Sequence, residues 1–150
     1  MQTSQYILDL LFLMSLLWCA ASDWRCRTIP NRAMLSIAVL GMAQIGFALW
    51  VGVSIWPYLA AIPLFGALYL CWTKDLLGGG DVKLMALICL YMGLGRAAIA
   101  FEVCLAALCA IYFTIAKGSK RPKRRKVALA PPLALGCVGV IVGQYVAAWL

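Results

Sequence analysis

The sequence predicts an all-α integral membrane protein of six transmembrane helices, and three observations predict it. Hydrophobic residues make up 65% of the chain and charged residues 12%, against roughly 45–50% and 25% in soluble domains. The apolar residues gather into runs close to the length of a membrane crossing. The basic residues then fall almost entirely on one side of a six-span reading. A water-soluble domain of this length has no interior large enough for so much apolar side chain. Soluble enzyme, secreted scaffold and disordered tail are set aside together.

The first run, Tyr6 to Ser22, has no Lys or Arg before it, and Asp9 interrupts its start. It is read as a retained span and not as a signal peptide. The later runs are Ala33–Trp50, Val53–Trp72, Val82–Gly93, Ala97–Ala116 and Val127–Leu150. A span needs about 20 apolar residues, so the fourth run, twelve residues long, is the one that needs a decision. Charge parity makes it. Six spans with both termini extracytoplasmic place the loops at 23–32, 73–83 and 117–126 in the cytoplasm, and these hold 12 of the 13 basic residues. Only Arg96 is left outside. A re-entrant fourth segment would throw the basic decapeptide Lys117–Lys126 across the membrane, against the positive-inside rule.

That decapeptide carries seven of the thirteen basic residues, and the other six are nearly balanced by five acidic ones. It is read as a cytoplasmic loop touching anionic lipid heads, and no nucleic-acid partner is expected, since nothing around it forms a reading domain. Trp50, Trp56 and Trp149 fall at the outer boundary and Trp24 and Trp72 at the inner one, as an aromatic belt should. Gly139 and Gly143, four apart in the last run, suggest close helix packing. No repeat or separate soluble domain is visible, so residues 1–150 are taken as one membrane domain.

The chain has no His, and its seven Cys include no CxxC pair. Zinc by the usual spacing is excluded, and no metal or cofactor is expected. The cysteines, six of them in apolar runs, are read as packing. Two carboxylates stand out by position. Asp23 closes the first span, and Asp81 opens the fourth after Gly78, Gly79 and Gly80; both fall at the cytoplasmic boundary. Ionisable residues at such depth are costly and usually face a polar cavity or the bundle interior. The glycines let the backbone approach other groups closely and place Asp81 at a helix N-terminus, where the dipole favours an anion. Two converging acids supply a mechanism: one takes a proton from water while its protonated partner supports the oxyanion and serves the leaving amine.

Other acids are read more plainly. Asp9 lies about 21 Å of helix from Asp23, too far to join the pair. Asp75 is read as a solvated charge, and Glu102 as snorkelling to the outer interface. Pro30 is expected to end the loop and start the second span, since proline is tolerated in the first helical turn.

Asp23-Trp-Arg-Cys-Arg-Thr-Ile-Pro30-Asn31 resembles the Asp…Ile-Pro-Asn signature of bacterial type IV prepilin peptidases. Gly78-Gly79-Gly80-Asp81-Val82-Lys83 is similar to their GxGD motif, shared more loosely with preflagellin peptidases and presenilin-type proteases. Ala130-Pro-Pro-Leu-Ala-Leu-Gly136 is similar to the proline-containing stretch that opens their last span, reading Ala-Pro-Pro where Phe-Gly-Pro is more usual. The resemblance implies that Asp23 and Asp81 are the catalytic aspartates, with Gly78, Gly79, Gly80, Lys83, Pro30 and Asn31 in support. It implies an inner-membrane aspartic endopeptidase that removes prepilin leaders at the cytoplasmic face. The large form's cytoplasmic loop with paired CxxC motifs is missing. The chain therefore resembles the short form without methyltransferase activity, similar to peptidases of tight-adherence (Flp) pili. The rival reading is a small proton-coupled carrier titrating Asp23 and Asp81. Carriers place such groups near the midplane, often with repeats, whereas these acids sit at one edge.

Overall fold

The computed structural model describes residues 2–26, 28–74, 78–118 and 129–149, and it is helical nearly throughout. The helices are α1 (Gln2–Cys26), α2 (Asn31–Val51), α3 (Trp56–Leu59), α4 (Ala61–Thr73), α5 (Gly79–Met92), α6 (Leu94–Gly118) and α7 (Ala130–Trp149). The short α3 and α4 form one column interrupted at Ala60, whose backbone stays in the right-handed helical region. Pro63 accounts for the interruption, because it has no N–H to give the carbonyl four residues back. The six apolar runs thus become six helical columns. Four stretches among the described residues, Ser4–Cys26, Asn31–Val51, Trp56–Thr73 and Ala130–Ala147, are long and apolar enough to cross a membrane.

Cross-helix bonds fix the directions. Gln5 near the start of α1 meets Gln44 near the end of α2, while Ser15 meets Ser36 at mid-height. Tyr91 on α5 and Tyr145 on α7 both reach Asp9 near the start of α1, whereas the starts of α5 and α7 lie beside Asp23 near its end. So α2, α5 and α7 all run opposite to α1. Helix α6 folds back along α5, bringing Cys104 within electrostatic range of Asp81. The link between α5 and α6 is the single residue Gly93 at φ 76°, a backbone conformation that glycine adopts without a steric penalty.

Helix α5 sits in the middle, packed by α2, α4 and α6. Its 14 residues reach about 21 Å at ~1.5 Å per residue, short for a lipid-facing span. Its neighbours supply the explanation: Lys83 is the one exposed side chain from Asp81 to Met92. A helix apolar on all sides belongs inside a bundle, and one sheathed by the longer α2, α6 and joined α3–α4 column need not match the lipid thickness itself. Leu84 and Ile88 of α5 join a core that includes Phe12, Leu16, Ile37 and Leu133.

Two expectations need correction. Pro30 is the residue before α2, not part of its first turn; its carbonyl accepts the N–H of Ala33 (3.0 Å) and of Met34 (3.2 Å). A proline there keeps an extended backbone while its free carbonyl starts the helix ladder. The close packing of α7 is not at Gly139 or Gly143, both of which face open space. It is at Gly136, where an added methyl group would run into the Ala100 backbone carbonyl of α6. Backbone cannot move aside as a side-chain tip can, so overpacking at this crossing should cost about 1–3 kcal/mol. Gly136→Ala should therefore melt several degrees below the parent in detergent, while Gly139→Ala should melt at or above it. Identical melting of the two variants would show that α6 and α7 do not touch through Gly136. Asp75, the decapeptide's side chains and the backbone of its residues 119–126 lie outside the described residues.

Candidate active site

On α1 the buried side chains are Asp9, Phe12, Leu16, Cys19 and Asp23, spaced three or four apart and so forming one face of the helix. A carboxylate stands at each end of this otherwise apolar stripe. Asp23 is 7% exposed, and its partner comes from the far end of the sequence. The Ala130 N–H, first in α7, donates to Asp23 Oδ2 at 3.1 Å. The local sequence of α7 makes that bond available. Pro131 and Pro132 have no N–H, and the Leu133 N–H is used by the Leu129 carbonyl at 3.2 Å, which leaves the Ala130 donor to be satisfied from another helix. The positive end of the α7 dipole therefore points at Asp23.

Asp81 lies in the first turn of α5, and its carboxylate reaches back to the Gly78 backbone N–H. Gly78, extended at φ −72° and ψ 142°, is the residue that precedes the helix and has no side-chain cap of its own. The acid at the third helical position thus supplies the missing cap, as in half of a capping box. A methyl group on Gly78 would lie 2.8 Å from Asp81 Oδ2, so the glycine leaves the space that this carboxylate uses. Gly79 packs on the Trp72 indole, and Gly80 faces Ile29 and Met34.

Asp81 is half-buried and lies within electrostatic range of Asp23. The structure thus brings together two acids that are 58 positions apart in sequence, at the end of the bundle where the segment before α2 and the start of α7 also lie. Cys19 and Cys104 are buried beside them. Lys83 lines two adjoining clefts of about 340 and 320 Å³, which also share Phe65 and lie between α2, α4 and α5. Asn31 lines the first cleft and Gly79 the second. Pro30 shapes the start of α2 and touches neither acid's hydrogen bonds. Glu102 is exposed on α6, and Asp9 is indeed remote from the pair.

Sequence reasoning missed the Ala130 donor, although Pro131-Pro132 marks a helix start with few N–H groups to offer. It also missed that Asp9 is buried and bonded, for which the α1 stripe from residue 9 to residue 23 was the available signal.

A protein-family model described as the type IV leader peptidase family matches residues 10–116, well over half of the chain. The chain belongs to that family. It is accordingly an aspartic prepilin leader peptidase, a hydrolase, with several membrane-crossing helices. No curated protein and no solved structure matches it. The family match includes both aspartates of the site, Gly78–Gly80 and Lys83; it ends before Ala130 and begins one residue after Asp9.

Proposed function

We propose that this peptidase removes the leaders of prepilin-like proteins at the cytoplasmic face of the bacterial inner membrane, with Asp23 and Asp81 as its catalytic pair. The observation that carries the reading is the convergence of these two carboxyl groups from α1 and α5, one capped by α7 and the other by Gly78. One carboxylate accepts a proton from water as the water oxygen attacks the scissile carbonyl carbon. The protonated partner donates to the carbonyl oxygen as it becomes an oxyanion, and a proton then passes to the leaving amine as the C–N bond breaks. The protons belong to the pair, with no fixed owner. The apolar cleft lined by Gly79, Val82 and Lys83, the chain neighbours of Asp81, is where an apolar substrate segment would lie.

Six spans with both termini outside are supported by the alternation of helix directions and by Arg25, Arg32, Lys74 and Lys83 falling at the helix ends on the Asp23 and Asp81 side. Without a long loop carrying CxxC pairs, the chain fits the short form, which lacks methyltransferase activity and serves Flp-type pili. The Lys117–Lys126 loop supplies charge for anionic lipid heads.

Co-expression with a candidate Flp-type prepilin should yield the shortened pilin on a gel. Unprocessed prepilin from every candidate tested alongside accumulating peptidase would overturn the reading. Topology has its own measurement: reporter fusions after Trp50 and at the C-terminus should report an extracytoplasmic position, and one near Ser119 a cytoplasmic position. A cytoplasmic C-terminus would require an odd number of crossings and break the six-span assignment.

A further inference from the structure

We propose that Asp9 is a positioning residue for the cleavage site, acting from the opposite end of the bundle; this rests on the dyad reading above. Asp9 is 7% exposed and accepts hydrogen bonds from the Tyr91 hydroxyl at 2.6 Å, from the Tyr145 hydroxyl and, more weakly, from Gln5 Nε2 at 3.4 Å. Gln5 also donates to Gln44 Oε1 at 3.4 Å, which extends the cluster to α2. The tyrosine rings are themselves held. Tyr91 stacks on Phe12 with centroids 3.9 Å apart and planes within 8°, and Tyr145 lies against Tyr6 at 4.7 Å.

The helices joined at Asp9 are the helices that build the site. Helix α1 carries Asp9 and Asp23, α5 carries Tyr91 and Asp81, and α7 carries Tyr145 and the Ala130 N–H. Each contributes one group to each end. Between the two ends the buried side chains of α1 are apolar, Phe12, Leu16 and Cys19, and the Ser15–Ser36 bond at mid-height ties α1 to α2, not to α5 or α7. Apolar packing among helices surrounded by lipid tails sets register weakly, because the lipid is as apolar as the side chains. Directional bonds to a buried carboxylate set it firmly. A slip of α1 by one turn, about 5.4 Å, would break both tyrosine bonds to Asp9 and would carry Asp23 away from both Ala130 and Asp81. A rigid helix transmits even a smaller shift or rotation over the ~21 Å between Asp9 and Asp23. A displacement near 1 Å at a reacting group can lower the rate about a hundredfold.

The test is leader cleavage by purified full-length peptidase in nanodiscs, with kcat and KM measured separately on a fluorescent prepilin peptide. Asp9→Leu, similar in size but unable to accept a bond, should lose about ten- to a hundredfold in kcat with KM within threefold of the parent. Asp9→Asn can accept from one tyrosine and donate to the other, so it should remain within about threefold of the parent. If Asp9→Leu fails to accumulate, the Tyr91→Phe/Tyr145→Phe double variant replaces it, with the same loss in kcat expected and ring packing kept. Parent-like kcat in Asp9→Leu or in the double variant would overturn the proposal, as would a rise in KM alone. An Asp9→Asn variant as slow as Asp9→Leu would overturn it too, by showing that charge and not hydrogen-bonded register matters. Cleavage by the parent protein is the common reference: its absence would refute the proposed function, whereas parent activity with indifferent Asp9 variants would refute this inference alone.

Discussion

Asp23→Asn and Asp81→Asn should each lower leader cleavage by at least about 10³-fold while the protein still inserts and accumulates. Both substitutions keep side-chain volume. The amide oxygen that Asp23→Asn introduces can still accept from the Ala130 N–H, so the α7 cap survives and the loss falls on the chemistry. What disappears is an exchangeable proton at one member of the pair. Groups that act as a unit are grossly non-additive, so the double variant should be barely slower than either single one. If the losses multiplied instead, the two acids would be working in separate steps or at separate sites. Glu102→Gln, on the exposed side of α6, serves as the control and should keep most activity. Substantial cleavage by either single variant would remove Asp23 and Asp81 from the reaction.

Gly78→Ala should cost about a hundredfold in cleavage with little change in melting temperature, whereas Gly80→Ala should stay within about threefold of the parent. The two glycines are equivalent as letters of a motif but not in space. At Gly78 a methyl group would press on Asp81 Oδ2 from 2.8 Å, closer than real side-chain contacts allow. The carboxylate tip is free to swing aside at little cost in stability, since Gly78 is exposed and its φ of −72° suits alanine. The swing spoils the aim of the carboxylate and strains its bond to the Gly78 N–H, and misaimed acids lose rate steeply. At Gly80 the methyl group would meet Ile29 Cδ1 at 3.5 Å, an ordinary packing distance. Alanine is also the better helix former there. Activity assays paired with thermal melts of both variants in detergent check the contrast. Equal loss in the two variants would mean that Asp81 is not held against Gly78.

Much of this protein was legible along the chain because lipid is a simple solvent. Six apolar runs could only become helices, since a helix satisfies its own backbone where no water is available. The two acids were legible for the same reason, as charges at the edge of lipid stand out from their neighbours. Their family context in Asp23…Pro30-Asn31 and Gly78–Asp81 added to that contrast. Other features depended on which way each helix face turns, and sequence carries that phase poorly. In α5 nearly every residue is apolar, so no stripe reveals that all its sides are covered. In α7 three glycines are spaced at Gly136, Gly139 and Gly143, and only the rotation of the helix against α6 selects Gly136 as the crossing.

Sequence alone therefore determined the solvent of this protein, its helical class and its family, and singled out the two carboxylates that the fold brings near each other. Only the tertiary structure decided that Ala130 caps Asp23, that Gly78 clears the space of the Asp81 carboxylate, and that Asp9 ties α1, α5 and α7 together. The physical reason is range. Solvent preference and helix formation are set by nearest neighbours in the chain, whereas these bonds span up to 136 positions and exist only once helices of fixed direction and rotation are packed side by side.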